Sequence, residues 1–295
     1  MSKPRIGFIG TGWVGGNLAD AIEARGYPVV RYSFDPKYVG NQAKIADCEI
    51  VGLAVWTPTT EKGFDDSHLI KAARNLVAGQ TAVIKSTVLP GTTEKLQEMF
   101  PDVYFLHNPE FLREAHVVQD IAEPERNIIG LPRDTPAYRQ RAEEVLEVLP
   151  STFATRQMIM TSRESALVKY YGNVFLMSKL LMMNAFYDTT LAAGGSWEVV
   201  RRALILDSRI GESHTQPIGK DGTRGAGGHC FPKDFEAYTR LVADMLGDKR
   251  TLWMLEAMRD YNNALLIESG KDLDILKGIY GPFSLDAPKK VRAAL

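Results

Sequence analysis

Residues 225–234 read Gly-Ala-Gly-Gly-His-Cys-Phe-Pro-Lys-Asp. They set a thiol (Cys230), an ammonium (Lys233) and a carboxylate (Asp234) at the mouth of a glycine-rich loop. A thiolate there can capture a carbonyl carbon as a covalent adduct. A cysteine normally titrates near pH ~8.5. Lys233 and the N-terminus of a helix beginning about Pro232 would both favour the thiolate. Gly222, Gly225, Gly227 and Gly228 would let the loop backbone press against a ligand. His229 could serve as a base, although a loop histidine is more often incidental. Elsewhere, Glu110 and Glu114 lie four apart in Asn-Pro-Glu-Phe-Leu-Arg-Glu, and at helical spacing would share a face. Lys169 and Asn173 are also four apart. Taken singly, such a carboxylate pair is usually a solvated edge and such a lysine is usually surface. Cys48 reads as core filler.

A second feature stands near the start. The apolar run Arg5–Ile9 passes into Gly10-Thr11-Gly12-Trp13-Val14-Gly15 and then into a helical pattern. Glycines in such a turn allow a tight bend, close backbone approach to a pyrophosphate and helix–strand contact. The helix N-terminus adds N–H donors. Asp35, 20 residues beyond Gly15, ends the next apolar run. A carboxylate there would bond the adenosine ribose hydroxyls and repel a 2′-phosphate, favouring NAD over NADP. A thiol facing a nicotinamide can take an alcohol past the aldehyde to the acid.

The elements that must hold these groups form two kinds. Strand-like runs at Arg5–Ile9, Pro28–Ser33, Glu49–Val55, Gln80–Lys85, Val103–Leu106 and Asn127–Gly130 alternate with helical patterns at Asn17–Arg25, Asp66–Val77, Thr92–Phe100 and Pro136–Leu149. That alternation predicts an α/β unit, a Rossmann-like parallel sheet covered on both faces, over residues 1–158. Residues 159–270 read as an all-helical central unit carrying the cysteine loop. Thr161 and Glu164 form a capping box, opening a helix that runs to Gly194-Gly195. A helix of about 30 residues extends some 45 Å. Its apolar residues, among them Leu167, Val174, Phe175, Leu181, Met182 and Met183, want a partner, and a dimer seam is expected. Ser196 caps a helix to about Asp207, and two more follow at about Lys233–Leu246 and Leu252–Ile267. Residues 271–295 read as a loose tail.

The bulk properties exclude other classes. Thirty-five basic and 36 acidic residues leave a net charge of −1, with no polycation to bind nucleic acid or anionic lipid. No apolar run approaches the roughly 20 residues of a membrane span. Two cysteines cannot build a disulfide framework, and no Cys/His cluster has zinc spacing, so no metal is expected. The first residues enter a strand without a signal-peptide core, and a reducing cytoplasm is the expected setting.

Together the motifs resemble the UDP-glucose/GDP-mannose dehydrogenase family of nucleotide-sugar dehydrogenases. The matching segments are the glycine turn at 10–15, Ser86-Thr87-Val88, the 108–114 stretch, Glu-Pro-Glu-Arg-Asn-Ile-Ile-Gly at 123–130, Lys169-Tyr-Tyr-Gly-Asn173, Asp-Ser-Arg-Ile-Gly at 207–211 and residues 227–234. They keep the family's order over roughly residues 5–268. The resemblance implies that Cys230 is the nucleophile. Thr87 and Asp234 would hold a water that accepts the first proton, Lys169 and Asn173 would stabilise oxyanions, and Glu110 would activate water for thioester hydrolysis. Glu114, Thr57 and Ser86 would line the nicotinamide, with Gly10, Gly12, Trp13, Val14, Gly15, Asp35 and Lys233 also on the cofactor side. Phe111, Leu112, Arg113, Gly225 and Gly227 would face the substrate, and Arg209 would reach the sugar nucleotide of a neighbouring subunit in a homodimer.

The resemblance implies NAD-dependent, four-electron oxidation of a nucleotide sugar to its uronic acid. Two departures qualify it. The family has a third, C-terminal domain that grips the substrate's nucleotide, and the chain reads as a compact form without it, a fragment of a longer product, or half of a two-protein enzyme. The segment between Asp35 and Ala54 is also shorter than the family's. The alternatives are a single-step hydroxyacid dehydrogenase of the 6-phosphogluconate or 3-hydroxyacid type, which needs no thiol, and a non-catalytic dinucleotide-binding remnant.

Overall fold

The computed structural model describes residues 3–247 and 249–282, the side chain of Glu114 excepted. In chain order the elements begin β1 (Ile6–Ile9), α1 (Trp13–Ala24), β2 (Val29–Tyr32), β3 (Ile50–Leu53), β4 (Thr59–Thr60), β5 (Gly63–Phe64), α2 (Ser67–Ala73), β6 (Thr81–Ile84) and α3 (Thr92–Met99). They continue with β7 (Tyr104–His107), α4 (Val117–Ala122), β8 (Arg126–Leu131), α5 (Pro136–Val148), β9 (Arg156–Thr161), α6 (Ser162–Ala192), α7 (Trp197–Leu204), α8 (Phe231–Leu246), α9 (Lys249–Ser269) and α10 (Leu273–Tyr280).

The chain divides into two units. The first runs to Thr57 and resumes over Asp65–Lys169; the second takes Pro58–Phe64 and the described residues from Tyr170 on. The expected boundary at 158/159 therefore falls earlier than the observed one, which lies inside α6. A short segment after β3 also changes sides. No pattern in the sequence marked it, because β4 and β5 are two residues each.

The first unit is a seven-stranded sheet in the order β2-β1-β3-β6-β7-β8-β9. The strands β2 to β7 are parallel, with Ile6 opposite Val29 and Ile50, and Thr81 opposite Tyr104. Every residue of β1, β3 and β6 is buried, as expected for strands covered on both faces. Two features depart from the all-parallel expectation. β8 meets β7 antiparallel at His107 and Gly130, where the connection after β7 carries only a 3-10 turn and the six-residue α4. β9 was not foreseen; Arg-Gln-Met-Ile-Met-Thr is a largely exposed edge strand without a continuous apolar run. Between β2 and β3 the connection is a single 3-10 stretch, Val39–Asp47. The core joins Ile6, Phe8, Leu18, Ile22, Val83, Leu106 and Ile129 with Ala142 and Val145 of α5.

The capping box at the start of α6 forms: Glu164 Oε2 accepts from the Thr161 N–H (2.8 Å) and hydroxyl (2.7 Å), and the Glu164 N–H donates to Thr161 Oγ1 (3.2 Å). The helix runs 31 residues.

The second unit packs Met177 and Leu181 of α6 against Phe235 and Val242 of α8 and Leu255 and Leu265 of α9. The apolar residues of α6 split: Leu181 and Met183 are buried here, whereas Phe175 and Met182 are exposed. The expected loose tail contains α10, held by buried Leu276 and Ile279 and by a hydrogen bond from Tyr280 to Glu236 of α8 (3.1 Å). Residues 283–295 of that expected tail lie outside the described residues. No described helix is long and apolar enough to cross a membrane.

Candidate functional site

The glycine turn follows β1 and opens α1, and its glycines differ in their surroundings. Gly10 has φ +94°, and a Cβ there would lie 2.3 Å from the Ala54 carbonyl oxygen. A Cβ on Gly15 would meet the Gly10 carbonyl oxygen at 2.1 Å. At Gly12, the N-cap of α1, nothing lies within 4 Å and no side chain caps the helix. Open space beside an uncapped helix start suits a pyrophosphate. Trp13 is exposed and Val14 half-buried beside it. Asp35 stands exposed beyond β2, its Oδ1 accepting the Lys37 N–H at 2.8 Å. These residues fit the dinucleotide.

Ser86 and Thr57, expected beside the nicotinamide, are buried. Ser86 Oγ accepts the Val55 N–H (3.1 Å) and donates to the Val55 carbonyl (2.6 Å), and Thr57 Oγ1 donates to the Thr87 carbonyl (2.8 Å). Their hydroxyls stitch the loop after β3 to the loop after β6. Thr87 is half-buried. Expected contacts of Glu114 fall on a side chain outside the described residues.

At the carboxyl ends of β6 and β7 the first unit gathers a buried charged cluster. Glu110 and Glu114 do not share a helical face, because residues 108–113 form no helix. Nor is Glu110 a solvated edge: its side chain is only 10% exposed and ion-paired with Lys169 at 2.9 Å, and it also accepts the Leu112 N–H at 2.8 Å. Lys169, read as surface when taken alone, is 5% exposed. Burial pushes the Glu110 pKa up, but the charge and hydrogen bond of Lys169, with help from Leu112 and Lys85, leave it below the usual carboxylate value. The two groups assigned separate tasks thus hold each other.

Beside them lie residues the sequence reading did not single out. Lys85, one residue past β6, donates to Asn108 Oδ1 at 2.6 Å, and Asn108 Nδ2 donates to the Ile128 carbonyl at 2.7 Å. Burial, with Lys169 close by, pushes Lys85 down to about 8. His107 is fully buried against Ser165 Oγ (2.6 Å), and burial with the Lys85 charge lowers it to about 3. The available signal was a lysine closing the otherwise apolar run Thr-Ala-Val-Ile.

Among the residues expected at the substrate, Phe111 carries the Arg126 guanidinium 4.0 Å from its ring centre. Leu112 is half-buried. Arg113 is exposed and held by Asp120 through both its side chain (3.1 Å) and its backbone N–H (2.7 Å).

In the second unit Cys230 is the exposed N-cap of α8, and Pro232 stands in that helix's first turn. Cys48, in the first unit, is buried and raised to about 11 mainly by burial. One turn into α8, Asp234 is 1% exposed. It accepts from Asn173 Nδ2 at 2.6 Å and from the Lys233 ammonium. The Lys233 carbonyl in turn accepts the Thr59 hydroxyl at 3.0 Å. Lys233, expected on the cofactor side, is buried with Asp234. Gly225 and Gly227 were expected to make room for a ligand. A Cβ on Gly225 (φ +90°) would meet Leu266 of α9 at 2.9 Å, and one on Gly227 would lie 2.0 Å from Asp272 Oδ2. The space they leave is taken by α9 and by the residue before α10. Arg209 is exposed and paired with Asp207 at 2.9 Å.

The glycine turn, the mostly parallel sheet and the helical second unit define an NAD-binding dehydrogenase of the α/β class. The comparisons with known proteins narrow this. The NAD-binding domain of the UDP-glucose/GDP-mannose dehydrogenase family matches residues 38–149, and that family's central domain matches residues 163–264. The chain belongs to this family. It is 35% identical over 243 residues to the UDP-glucose 6-dehydrogenase of Pseudomonas aeruginosa, covering 76% of this chain and 51% of that protein. The chain spans about half the length of the curated relatives it matches. A solved UDP-glucose dehydrogenase from the archaeon Pyrobaculum islandicum superposes with a TM-score of 0.75 at 26% identity, covering 88% of this chain and 68% of that one. A 3-hydroxyisobutyrate dehydrogenase from Mycobacterium tuberculosis shares the fold, with a TM-score of 0.69 at 14% identity over 91% of this chain and 95% of its own.

Proposed function

We propose that the chain carries the NAD-dependent, four-electron oxidation of a nucleotide sugar's primary alcohol to the uronic acid, by way of a covalent adduct on Cys230. The observation that carries this reading is the thiol itself, exposed at the start of α8. Its helix position favours the thiolate, in a segment belonging to the family's central domain. NAD, held by the glycine turn and Asp35, supplies the hydride acceptor for both oxidations.

The chain's own residues handle the protons and the carbon. Thr87 and Asp234 orient a water that takes the proton of the alcohol. The Cys230 thiolate adds to the aldehyde carbon, and the thiohemiacetal becomes a thioester on the second oxidation. Lys169 and Asn173 donate to the oxygen as it gains charge. Glu110 removes a proton from the water that attacks the thioester, and the Cys230 thiolate leaves. One alcohol and one water thus give one acid, two hydrides and two protons. Glu110 and Lys169 cannot act while paired, so the ion pair must open in the cycle.

The substrate is a uridine or guanosine diphosphate sugar, and the protein works in the cytoplasm as a homodimer. Phe175, Met182 and Phe186 form an exposed stripe on α6 that a second copy would cover, with Arg209 offered to the neighbour. The fold shared with 3-hydroxyisobutyrate dehydrogenase favours a second reading, a single-step hydroxyacid oxidation. Incubation with NAD and a panel of UDP-sugars, GDP-sugars and small hydroxy acids separates the two. Two NADH per acid released, lost in Cys230→Ser, supports the lead. One NADH from a hydroxy acid, unaffected by Cys230→Ser, supports the second, and no turnover with intact NAD binding indicates a scaffold.

A further inference from the structure

The first unit buries two ammonium groups and one carboxylate in the same cluster. Lys169 has Glu110 at 2.9 Å. Among the described residues Lys85 has only an amide oxygen, Asn108 Oδ1 at 2.6 Å, and no ion pair. A fully buried ammonium held by one neutral acceptor is costly, and its stem would pack as well without the charge. Asn108 is itself fixed, its amide nitrogen bound to the Ile128 carbonyl, so the ammonium is held in place. The groups facing Glu110 are Lys85 from the end of β6 and Lys169 from α6. His107 from β7 faces both lysines and remains neutral at working pH.

We propose that Lys85 is a positioning residue: its ammonium is the standing counter-charge of Glu110, keeping that carboxylate ionised and in place when Lys169 turns to the substrate oxygen. This rests on the reading of Glu110 as base and Lys169 as oxyanion donor. If Lys169 left with no second cation nearby, Glu110 would be a lone buried carboxylate. Such a group takes up a proton and ceases to be a base. The low titration point of Glu110, with Lys85 among its causes, agrees with this.

The test reads Glu110 directly, without turnover. Protein labelled with 13C-glutamate is titrated, and the Glu110 carboxyl signal is identified by its loss in Glu110→Gln. Lys85→Met should raise the Glu110 midpoint by about one pH unit or more, and Lys85→Arg should not. In Lys169→Met, Glu110 should still be ionised at neutral pH, and in the Lys85→Met/Lys169→Met double variant it should be protonated. An unchanged midpoint in Lys85→Met overturns the proposal, as does an equal rise in Lys85→Arg or a protonated Glu110 in Lys169→Met alone. If Lys85→Arg fails to fold, Asn108→Asp takes its place. It gives Lys85 a carboxylate of its own and should raise the midpoint as Lys85→Met does; a wild-type midpoint counts against the proposal. Absence of nucleotide-sugar oxidation would defeat the functional reading and leave this titration unaffected.

Discussion

The two units keep their reactive groups under opposite conditions. In the first, Lys85, His107 and Lys169 are buried, the Glu110 side chain is 10% exposed, and the four hold one another's charge states. In the second, the Cys230 thiol stands exposed at a helix end, while Lys233 and Asp234 just beyond it are buried. A buried base is tuned by desolvation and by its partners, so its protonation is tied to the stability of the unit. An exposed thiol at a helix N-terminus is tuned by the backbone, at little cost to the fold. Substitutions should therefore separate chemistry from stability in the second unit and fail to separate them in the first.

The largest effect is expected at Cys230. Cys230→Ser should reduce acid formation to background while leaving unfolding free energy within about 0.5 kcal/mol of wild type, as for other surface substitutions. Urea denaturation and product analysis check both halves. Full acid formation by the serine variant would remove the covalent route.

In the first unit the expected cost falls on folding as well. Glu110→Gln leaves two buried ammonium groups without a carboxylate and should destabilise by about 3–5 kcal/mol. Lys169→Met leaves Glu110 with Lys85 still facing it and should cost clearly less. Equal urea midpoints for the two variants would mean that Lys85 does not share in balancing the cluster.

How much of this was legible follows the same division. The exposed thiol, the glycine turn and the capping box announce themselves because each depends on neighbours in sequence: a helix start, a strand-to-helix turn, a residue three positions on. The sheet was legible up to β7, where strands are continuous apolar runs. It failed at β9, an exposed edge, and at the reversed β8, whose direction is set by a long-range pairing with β7. The Lys169–Glu110 pair spans 59 residues, and Lys85 meets Asn108 across 23. Only the register of β6 beside β7 brings Lys85 and Asn108 together. Gly225 and Gly227 were visible as special positions, but the helices that fill their space lie far along the chain.

The buried groups also predict how the fold answers pH. His107 stays neutral down to about 3, while the unfolded chain takes up that proton near its ordinary value of 6.5. Unfolding free energy should thus fall as pH drops from 6.5 toward 3, because the unfolded state binds the extra proton. Lys85 loses its proton near 8 in the fold but at 10.5 when unfolded. The same sign applies: stability should rise between pH 8 and 10.5, the contributions of His107 and Lys85 being on the order of 5 and 3 kcal/mol. Chemical denaturation across pH checks this. In Lys85→Met the alkaline rise should vanish and the acid fall remain; a rise that survives would assign it to another group.

The smallest effect is expected at Asp35, the exposed carboxylate of the first unit, and it marks the limit of the comparison. Its Oδ1 accepts only a local N–H, that of Lys37, so Asp35→Ala should change stability by no more than about 0.5 kcal/mol. Like Cys230, and unlike Glu110, it should affect function without affecting folding. If Asp35 bonds the ribose hydroxyls as proposed, its loss should weaken NAD about tenfold, roughly 1.4 kcal/mol. NADP should be hurt less, since the same carboxylate repels a 2′-phosphate. Fluorescence titration with both dinucleotides measures the ratio. If NAD weakens and the ratio holds, Asp35 touches the cofactor without discriminating. If neither affinity moves, the adenosine ribose is held elsewhere and exposure, not unit, decides which substitutions are silent.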